Sequence, residues 1–380
     1  MTRTLKDLQP VYVVGVGWHR YQNPSDTSYV TLGVTAIREA LTDAQLEWPS
    51  VESAYIGTAL LGMASGRPML RHLGATGMPI AHVENASASG STAFRQACIE
   101  VASGLSDVSL AVGVDKRNPV RRESTGVDHL AEDAIAQFTH FSLLTNEYAH
   151  RHKVSFEDIA RVAVKNHRNG AKNKNAQRQR ERSLEEVLGG KKVAGSLTAL
   201  QCTPIGEGAA AAIVASEEGI RRLGLDCGRA VRVVSSTARS ERVYEAGLGF
   251  DAVLTKETAA LALTEAQVSP NELDIIELHD AFTVEELHYI ENIGLCPEGH
   301  GVHLLKEGAL DIGGRCAVNP SGGLIAMGHP IGPTGVGQIG EITMQLRGEA
   351  GARQHPGART GLAHMVGVGA VCCVHILQAD

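Results

Sequence analysis

Three glycine-rich stretches carry side chains able to do chemistry. The first, ENASASGSTA, sets Ser87 among small residues just ahead of an apolar-periodic segment. Small residues let backbone amides approach a ligand closely. A helix beginning near Ser87 would aim unpaired N–H groups and a positive dipole end at negative charge forming there. Serine attacks poorly until a base takes its proton, and the plainer role for Ser87 or Ser89 is a helix N-cap. The second stretch, NPSGGLIAMGHPIGPTG (319–335), holds His329 between Gly328 and Pro330. Glycine permits unusual backbone angles and proline fixes the turn, so one ring nitrogen can stay aimed at a neighbour, as a general base requires. A purely structural histidine is the alternative. The third, ELHDAF (277–282), puts His279 and Asp280 at the end of an apparent strand, where a histidine could equally bond to backbone.

The elements that must position these residues alternate. VYVVGVG (11–17) reads as a buried strand, 28–46 as a helix, 51–57 as a strand, 90–104 as a helix and 107–115 as a strand. This rhythm predicts an α/β fold with parallel or mixed pairing. It breaks at 116–199, which is polar, reads as irregular, and contains RVAVKNHRNGAKNKNAQRQRERSLEEVLGGKK. That run is either a solvated face of mixed charge or a basic lid for a phosphorylated ligand. The pattern resumes with 206–224, a strand at 231–240, helices at 255–269 and 284–296 around a strand running into a polar turn at 273–282, a glycine-rich turn opening a helix at 328–351, and two strands around a glycine bend at 361–377. The second half thus repeats the first, and two loop-to-helix turns brought face to face would share one cleft. The expected division is a first half from 1–115 and 200–240, an insert at 116–199, and a second half at 241–380.

A duplicated fold suits 380 residues, more than one core usually holds. With 43 % apolar and 20 % charged residues the chain has an ordinary globular composition, and a formal charge of -7 argues against nucleic acid as a partner. No apolar run is long enough to insert in a membrane. The N-terminus does not read as a signal peptide, and HILQAD is no peroxisomal tripeptide. Seven scattered cysteines without CxxC spacing suit free thiols, and the 16 histidines form no metal constellation. Cytoplasmic is the expected location.

Together the stretches resemble the thiolase superfamily, and in particular its sterol-carrier-protein type, the lipid-transfer and acetyl-CoA acetyltransferase-like branch. NPSGGLIAMGHPIGPTG is similar to the NPSGG…GHP…GATG signature, HDAF to HDCF, and KNHRNGAKNKNAQ to NHxNGxxNPxA; EGAAAAIVAS and AHMVGVGAV also fit. The resemblance implies two similar βαβαβαββ halves in a five-layered αβαβα arrangement, with an inserted loop domain that binds coenzyme A, assembled as a dimer or tetramer. It implies thiolytic cleavage of a 3-oxoacyl-CoA, or the reverse Claisen condensation, with coenzyme A as co-substrate and no covalently bound cofactor. It also implies a small zinc-ribbon/OB-fold partner protein. Carried over by position, Ser87 stands in the nucleophile motif Cys-x-Ser-Gly. His329 falls on the activating histidine and His279 on the histidine that holds the thioester oxygen. Ser87 and the bend near Gly367 would supply oxyanion amides, with His364 and Asp280 in support and Asn319, Ser321 and Gly328 at the substrate.

Two departures matter. Serine replaces the nucleophilic cysteine, and Ala281 replaces the cysteine of HDCF that serves as second acid/base; HMVGVG holds no cysteine either. A serine hydroxyl, unlike a thiol of pKa ~8.5, is not ionised near neutrality, so little ordinary thiolysis is expected. Three explanations follow: a cysteine enzyme in which serine was substituted to trap substrate, a natural retro-aldolase on a 3-hydroxyacyl-CoA, or a non-catalytic acyl-CoA-binding subunit. Residues 117–150, including FTHFSLLTNEYAH, are expected to line the acyl pocket.

Overall fold

The computed structural model describes residues 4–117, 137–244, 250–367 and 371–379. In chain order the strands are β1 (Val11–Gln22), β2 (Ser53–Gly57), β3 (Ile80–Val83), β4 (Val108–Asp115), β5 (Lys192–Ala194), β6 (Leu197–Thr198), β7 (Glu207–Ser216), β8 (Val231–Ser240), β9 (Ile275–Glu277), β10 (Ala317–Val318), β11 (Thr360–Gly367) and β12 (Val371–Gln378). β5 and β6 form a separate ribbon; the others lie in one sheet ordered β10-β9-β11-β12-β8-β1-β7-β4-β2-β3. Counted from each edge inward, both halves run third, second, fourth, fifth, first. The two first strands meet antiparallel at the centre through Tyr12↔Arg232 and Val13↔Val231. The fold is therefore duplicated. β8 opens the second half rather than closing the first, so the boundary expected at 240 falls one strand late. Nothing in a β-branched run tells which sheet half it will join.

Alternation along the strands builds five layers. Val11 and Val13 of β1, with Ile275 and Leu377 of the second half, face a core shared with Phe94 and Val101 of helix Ser89–Ala102 and Val336 and Ile339 of helix Thr334–Leu346. Tyr12 and Val14 turn the other way, onto Leu32 and Ile37 of helix Tyr29–Ala44. Ile276 and Ile376 turn onto Leu254 and Leu287 of helices Phe250–Ala266 and Thr283–Ile293. The two central helices approach so closely that a Cβ on Gly335 would overlap Ser91 Oγ, and one on Gly90 would overlap the Gly332 carbonyl. That contact sets the Ser87 turn against the His329 turn.

The insert is more regular than its composition suggests. It holds helices Gln137–His152, Phe156–Ala171 and Leu184–Leu188. The polar face of Phe156–Ala171 is buried, not solvated: Asn166 Nδ2 donates to Asp280 Oδ2 (2.7 Å), Asn169 Nδ2 to Asn319 O (3.1 Å), and Lys165 Nζ sits 3.0 Å from Glu286 Oε1. Of the basic run, Arg178 is spent on the carbonyls of Ala199, Cys202 and Ile325, while Arg180 and Arg182 pair with Glu186. Lys172, Lys191 and Lys192 stay exposed. The strand-to-turn reading of 273–282 is met with β9 ending at Glu277, where Leu278 N–H donates to the Asn319 side chain (2.9 Å) and the chain turns away with His279. Among the described residues no helix is long and apolar enough to cross a membrane.

Candidate active site

Ser87 sits in a tight turn between β3 and helix Ser89–Ala102. The turn is made by Ala86 at φ +48°, by Ala88 N–H donating to Asn85 O (2.9 Å), and by Ser89 Oγ accepting from Asn85 N–H (2.9 Å). The N-cap position is Ala88 and no side chain caps it. The capping role open to Ser87 and Ser89 is thus not taken, and the half-buried Ser87 hydroxyl is left for another partner. That partner is His329: Ser87 Oγ and His329 Nε2 lie 2.9 Å apart, across 242 residues of sequence. On its far side His329 Nδ1 lies 2.8 Å from Thr334 Oγ1. Burial, and then the neighbouring His279, hold the His329 ring well below the usual histidine range, so it is neutral near pH 7.

The His329 turn is fixed from three directions. Gly328 takes φ +106°, with Gln177 so near that a Cβ would meet its Oε1 at 2.8 Å. Tyr21 O–H donates to Pro333 O (3.0 Å). Asp115, at the end of β4, accepts from Gly332 N–H (2.7 Å) while also accepting from Thr58 O–H (2.6 Å) and Leu60 N–H (2.9 Å). One carboxylate of the first half thus pins the catalytic-looking turn of the second. Burial pushes Asp115 up to about 6, the surrounding hydrogen bonds pulling the other way.

His279 meets His329 edge to face, ring centroids 5.4 Å apart. Its Nδ1 lies 3.2 Å from Glu285 Oε1, and its Nε2 is buried without a hydrogen-bond partner among the described residues. Ser87, His329 and His279 are the sequence-expected residues brought together. The others surround them. Asp280 accepts from Asn166 and from Leu324 N–H (2.7 Å), and burial followed by Glu286 raises it well above the usual carboxylate range. Asn319 is wholly buried at φ +53°, its amide spent on Leu278 and Glu286. Ser321 donates to Glu277 Oε2 (2.7 Å). These two brace the turn from inside rather than facing Ser87. His364 lies behind, against the Tyr289 ring and with Nε2 2.9 Å from Thr255 Oγ1; burial pushes it down to about 3. Gly367 ends β11 against the Ser87 turn, where a Cβ would overlap the Asn85 carbonyl.

The rest of the expected glycine bend, 368–370, lies outside the described residues, as does 118–136 of the expected acyl-pocket wall. A cavity of about 20 Å³ lies behind the His329 turn, between Tyr21, Glu277, Gly328 and Thr334. It has room for about one water and none for a substrate. The seven cysteines hold other places: Cys202 bonds to Thr198 O, Cys373 lies beside Thr92, and burial raises both thiols, Cys202 to about 12 and Cys373 to about 11. No group of three or more metal-binding side chains occurs among the described residues. Sequence reasoning missed Thr334, Glu285 and Asp115. Thr334 had a signal, as a hydroxyl five residues past His329 at a helix start. Asp115 and Glu285 had none, since acidic residues are ordinary at a strand end and in a helix's first turn.

A five-layered duplicated α/β fold with a hydroxyl–imidazole pair between the paired central helices defines the class. The chain belongs to the thiolase family: the thiolase N-terminal domain matches residues 19–182 and the thiolase C-terminal domain-like family residues 246–379. It is 37 % identical to human sterol carrier protein 2 over 98 % of this chain and 72 % of that one. It is 36 % identical to the benzoylsuccinyl-CoA thiolase subunit BbsB of Thauera aromatica, over 94 % of this chain and 95 % of that one. Among solved structures the Ltp2-ChsH2(DUF35) aldolase superposes with a TM-score of 0.87 at 22 % identity, covering 98 % of each chain. The fold expectation holds.

Proposed function

We propose that this chain breaks the C2–C3 bond of a coenzyme A thioester bearing oxygen on C3, by retro-aldol cleavage of a 3-hydroxyacyl-CoA. The observation that carries the reading is the 2.9 Å contact of Ser87 Oγ with a neutral imidazole, with serine at 87 and alanine at 281 rather than cysteine. Thiolysis asks for an attacking thiolate and a second acid/base. Retro-aldol cleavage asks for one proton acceptor and an electron sink, and the thioester carbonyl is the sink. The substrate hydroxyl passes its proton through Ser87 Oγ to His329 Nε2. As the C3–O bond becomes a carbonyl, the C2–C3 pair moves into the thioester as an enolate, on the side of His279. General base catalysis of this kind is worth ~10²–10⁴ in rate.

A second reading keeps the family's thiolysis of a 3-oxoacyl-CoA, or its reverse, with Ser87 standing where the nucleophile belongs. It is favoured by the intact Ser87–His329 contact and by the printed name of the benzoylsuccinyl-CoA thiolase subunit. One experiment separates the two. The unaltered chain is offered a panel of 3-hydroxyacyl-CoA thioesters and assayed for aldehyde or ketone release. Ser87→Cys is offered 3-oxoacyl-CoA with coenzyme A. Carbonyl release by the unaltered chain supports the first reading, thiolysis by Ser87→Cys alone the second. Binding without either reaction makes the chain an acyl-CoA-binding subunit and overturns both.

Coenzyme A is proposed to lie against the insert, where Lys172, Lys191 and Lys192 remain exposed. A homodimer or tetramer joined by a small zinc-ribbon/OB-fold protein is the proposed assembly. The word "subunit" in one relative's name and the DUF35 chain in one neighbour's title support it. Co-purification from the native host tests it.

A further inference from the structure

We propose that His279 and Glu285 form a proton-transfer pair acting at C2 of the acyl-CoA, in the role left vacant at Ala281. This rests on the C2–C3 cleavage just described and names a second reacting group for it. The Glu285 carboxylate is buried; among the described residues it accepts from Phe282 N–H on Oε2 (2.8 Å) and Tyr289 O–H on Oε1 (3.1 Å), and His279 Nδ1 lies 3.2 Å from Oε1. A carboxylate so surrounded acts as an acceptor, so His279 carries its hydrogen on Nδ1. Nε2, on the opposite edge of the ring, then bears a lone pair when the ring is neutral and a hydrogen only when it is charged. It is buried and has no hydrogen-bond partner among the described residues, which a protein tolerates where the atom has work to do.

A fixed hydrogen-bond donor for the thioester oxygen would need the other tautomer. The arrangement found is that of a histidine base oriented by a carboxylate. In the cleavage direction, His329 gains the hydroxyl proton through Ser87, the C2–C3 bond breaks to give the enolate, and protonated His279 gives its Nε2 proton to C2. The products are a carbonyl compound and an acyl-CoA, and solvent returns one proton to His279 while removing one from His329. In the reverse direction neutral His279 takes a proton from C2. The titratable groups around this ring are Glu285 and Tyr289 from helix Thr283–Ile293, His329 from its turn, His364 from β11, and Cys202 beyond Glu285.

The test is exchange of the C2 hydrogens of acetyl-CoA and propionyl-CoA in D2O, with no C3 substrate present, followed by mass spectrometry. The unaltered chain is expected to exchange them. His279→Asn, which keeps an N–H but cannot carry a proton back and forth, is expected to lose exchange by about a hundredfold or more. His279→Gln serves if the first variant does not fold, as judged by circular dichroism. Ser87→Ala should keep exchange while losing cleavage. Glu285→Gln should slow exchange, because the acceptor that holds the His279 ring by Nδ1 is gone, and Glu285→Asp should restore it. No exchange by the unaltered chain, or exchange by His279→Asn within threefold of it, overturns the pair. Exchange that follows His279 without cleavage of any 3-hydroxyacyl-CoA overturns the proposed function and leaves the pair standing.

Discussion

Removing the hydroxyl of Thr334 tests whether His329 works as a base. Thr334 is buried, first in its helix, and its Oγ1 lies 2.8 Å from His329 Nδ1. When Nδ1–H donates to that oxygen, Nε2 presents its lone pair to Ser87. Thr334→Val keeps shape and β-branching but takes away the acceptor. A buried N–H left unpaired costs about 1–3 kcal/mol, which falls on the tautomer that can accept a proton. The opposite tautomer, with Nε2–H donating to Ser87, loses only the Thr334 O–H that Nδ1 accepted, and the cost is greatest once the ring becomes charged on taking the proton. The rate of C2–C3 cleavage should therefore fall roughly 5- to 150-fold, since 1.4 kcal/mol is a factor of ten. The loss should appear in kcat with KM little changed, because the ring serves the reaction more than binding. Thr334→Ser should recover most of the rate. Cleavage by Thr334→Val within twofold of the unaltered chain, at an unchanged melting temperature, would refute the assignment of His329 as proton acceptor.

Ser87→Ala should cut cleavage by ~10²–10⁴ while acyl-CoA binding, measured by calorimetry, persists. Lys165→Met should lower stability by about 3–5 kcal/mol in urea unfolding, because Glu286 is left buried and without its cation. Gly335→Ala should cost about 1–3 kcal/mol by the same measurement, and should slow cleavage by moving the two central helices apart at Ser91. His375 is buried and pushed down to about 3, chiefly by burial, below the ~6.5 it has when unfolded. Its contribution is therefore whole above pH 6.5 and lost as pH falls toward 3. His375→Asn should shift the stability difference from the unaltered chain by about 2 kcal/mol between pH 7 and pH 5, in the variant's favour.

What could be read from residues alone was what local chemistry dictates. Glycine and proline around His329, and small residues around Ser87, mark turns whatever surrounds them, and both turns lie where the two halves meet. Period-two and helical spacing located the elements, and their repetition showed the duplication. The errors came where burial, not local preference, decides. Asn166 and Asn169 share one face of their helix, with Asn173 just past its end; their polarity left open a solvated face, yet they are clamped on Asp280 and the NPSGG turn. Asn319 and Ser321 read as substrate contacts because their motif is striking in sequence; inside the fold their polar atoms are already spent on Glu286 and Glu277.

The same distinction bears on what holds the frame of the site. Asp115, Asn319, Asp280 and Lys165 are tied to backbone or to each other, and none touches Ser87 or His329 through its side chain. The geometry of the imidazole is therefore set by groups that do not depend on the nucleophile. With serine at position 87 the hydroxyl approaches the imidazole at 2.9 Å. A frame built this way fixes where a base stands while leaving open which bond it serves. In the proposed reaction His279, held by the carboxylate at 285, moves the proton that a thiol at 281 would have moved.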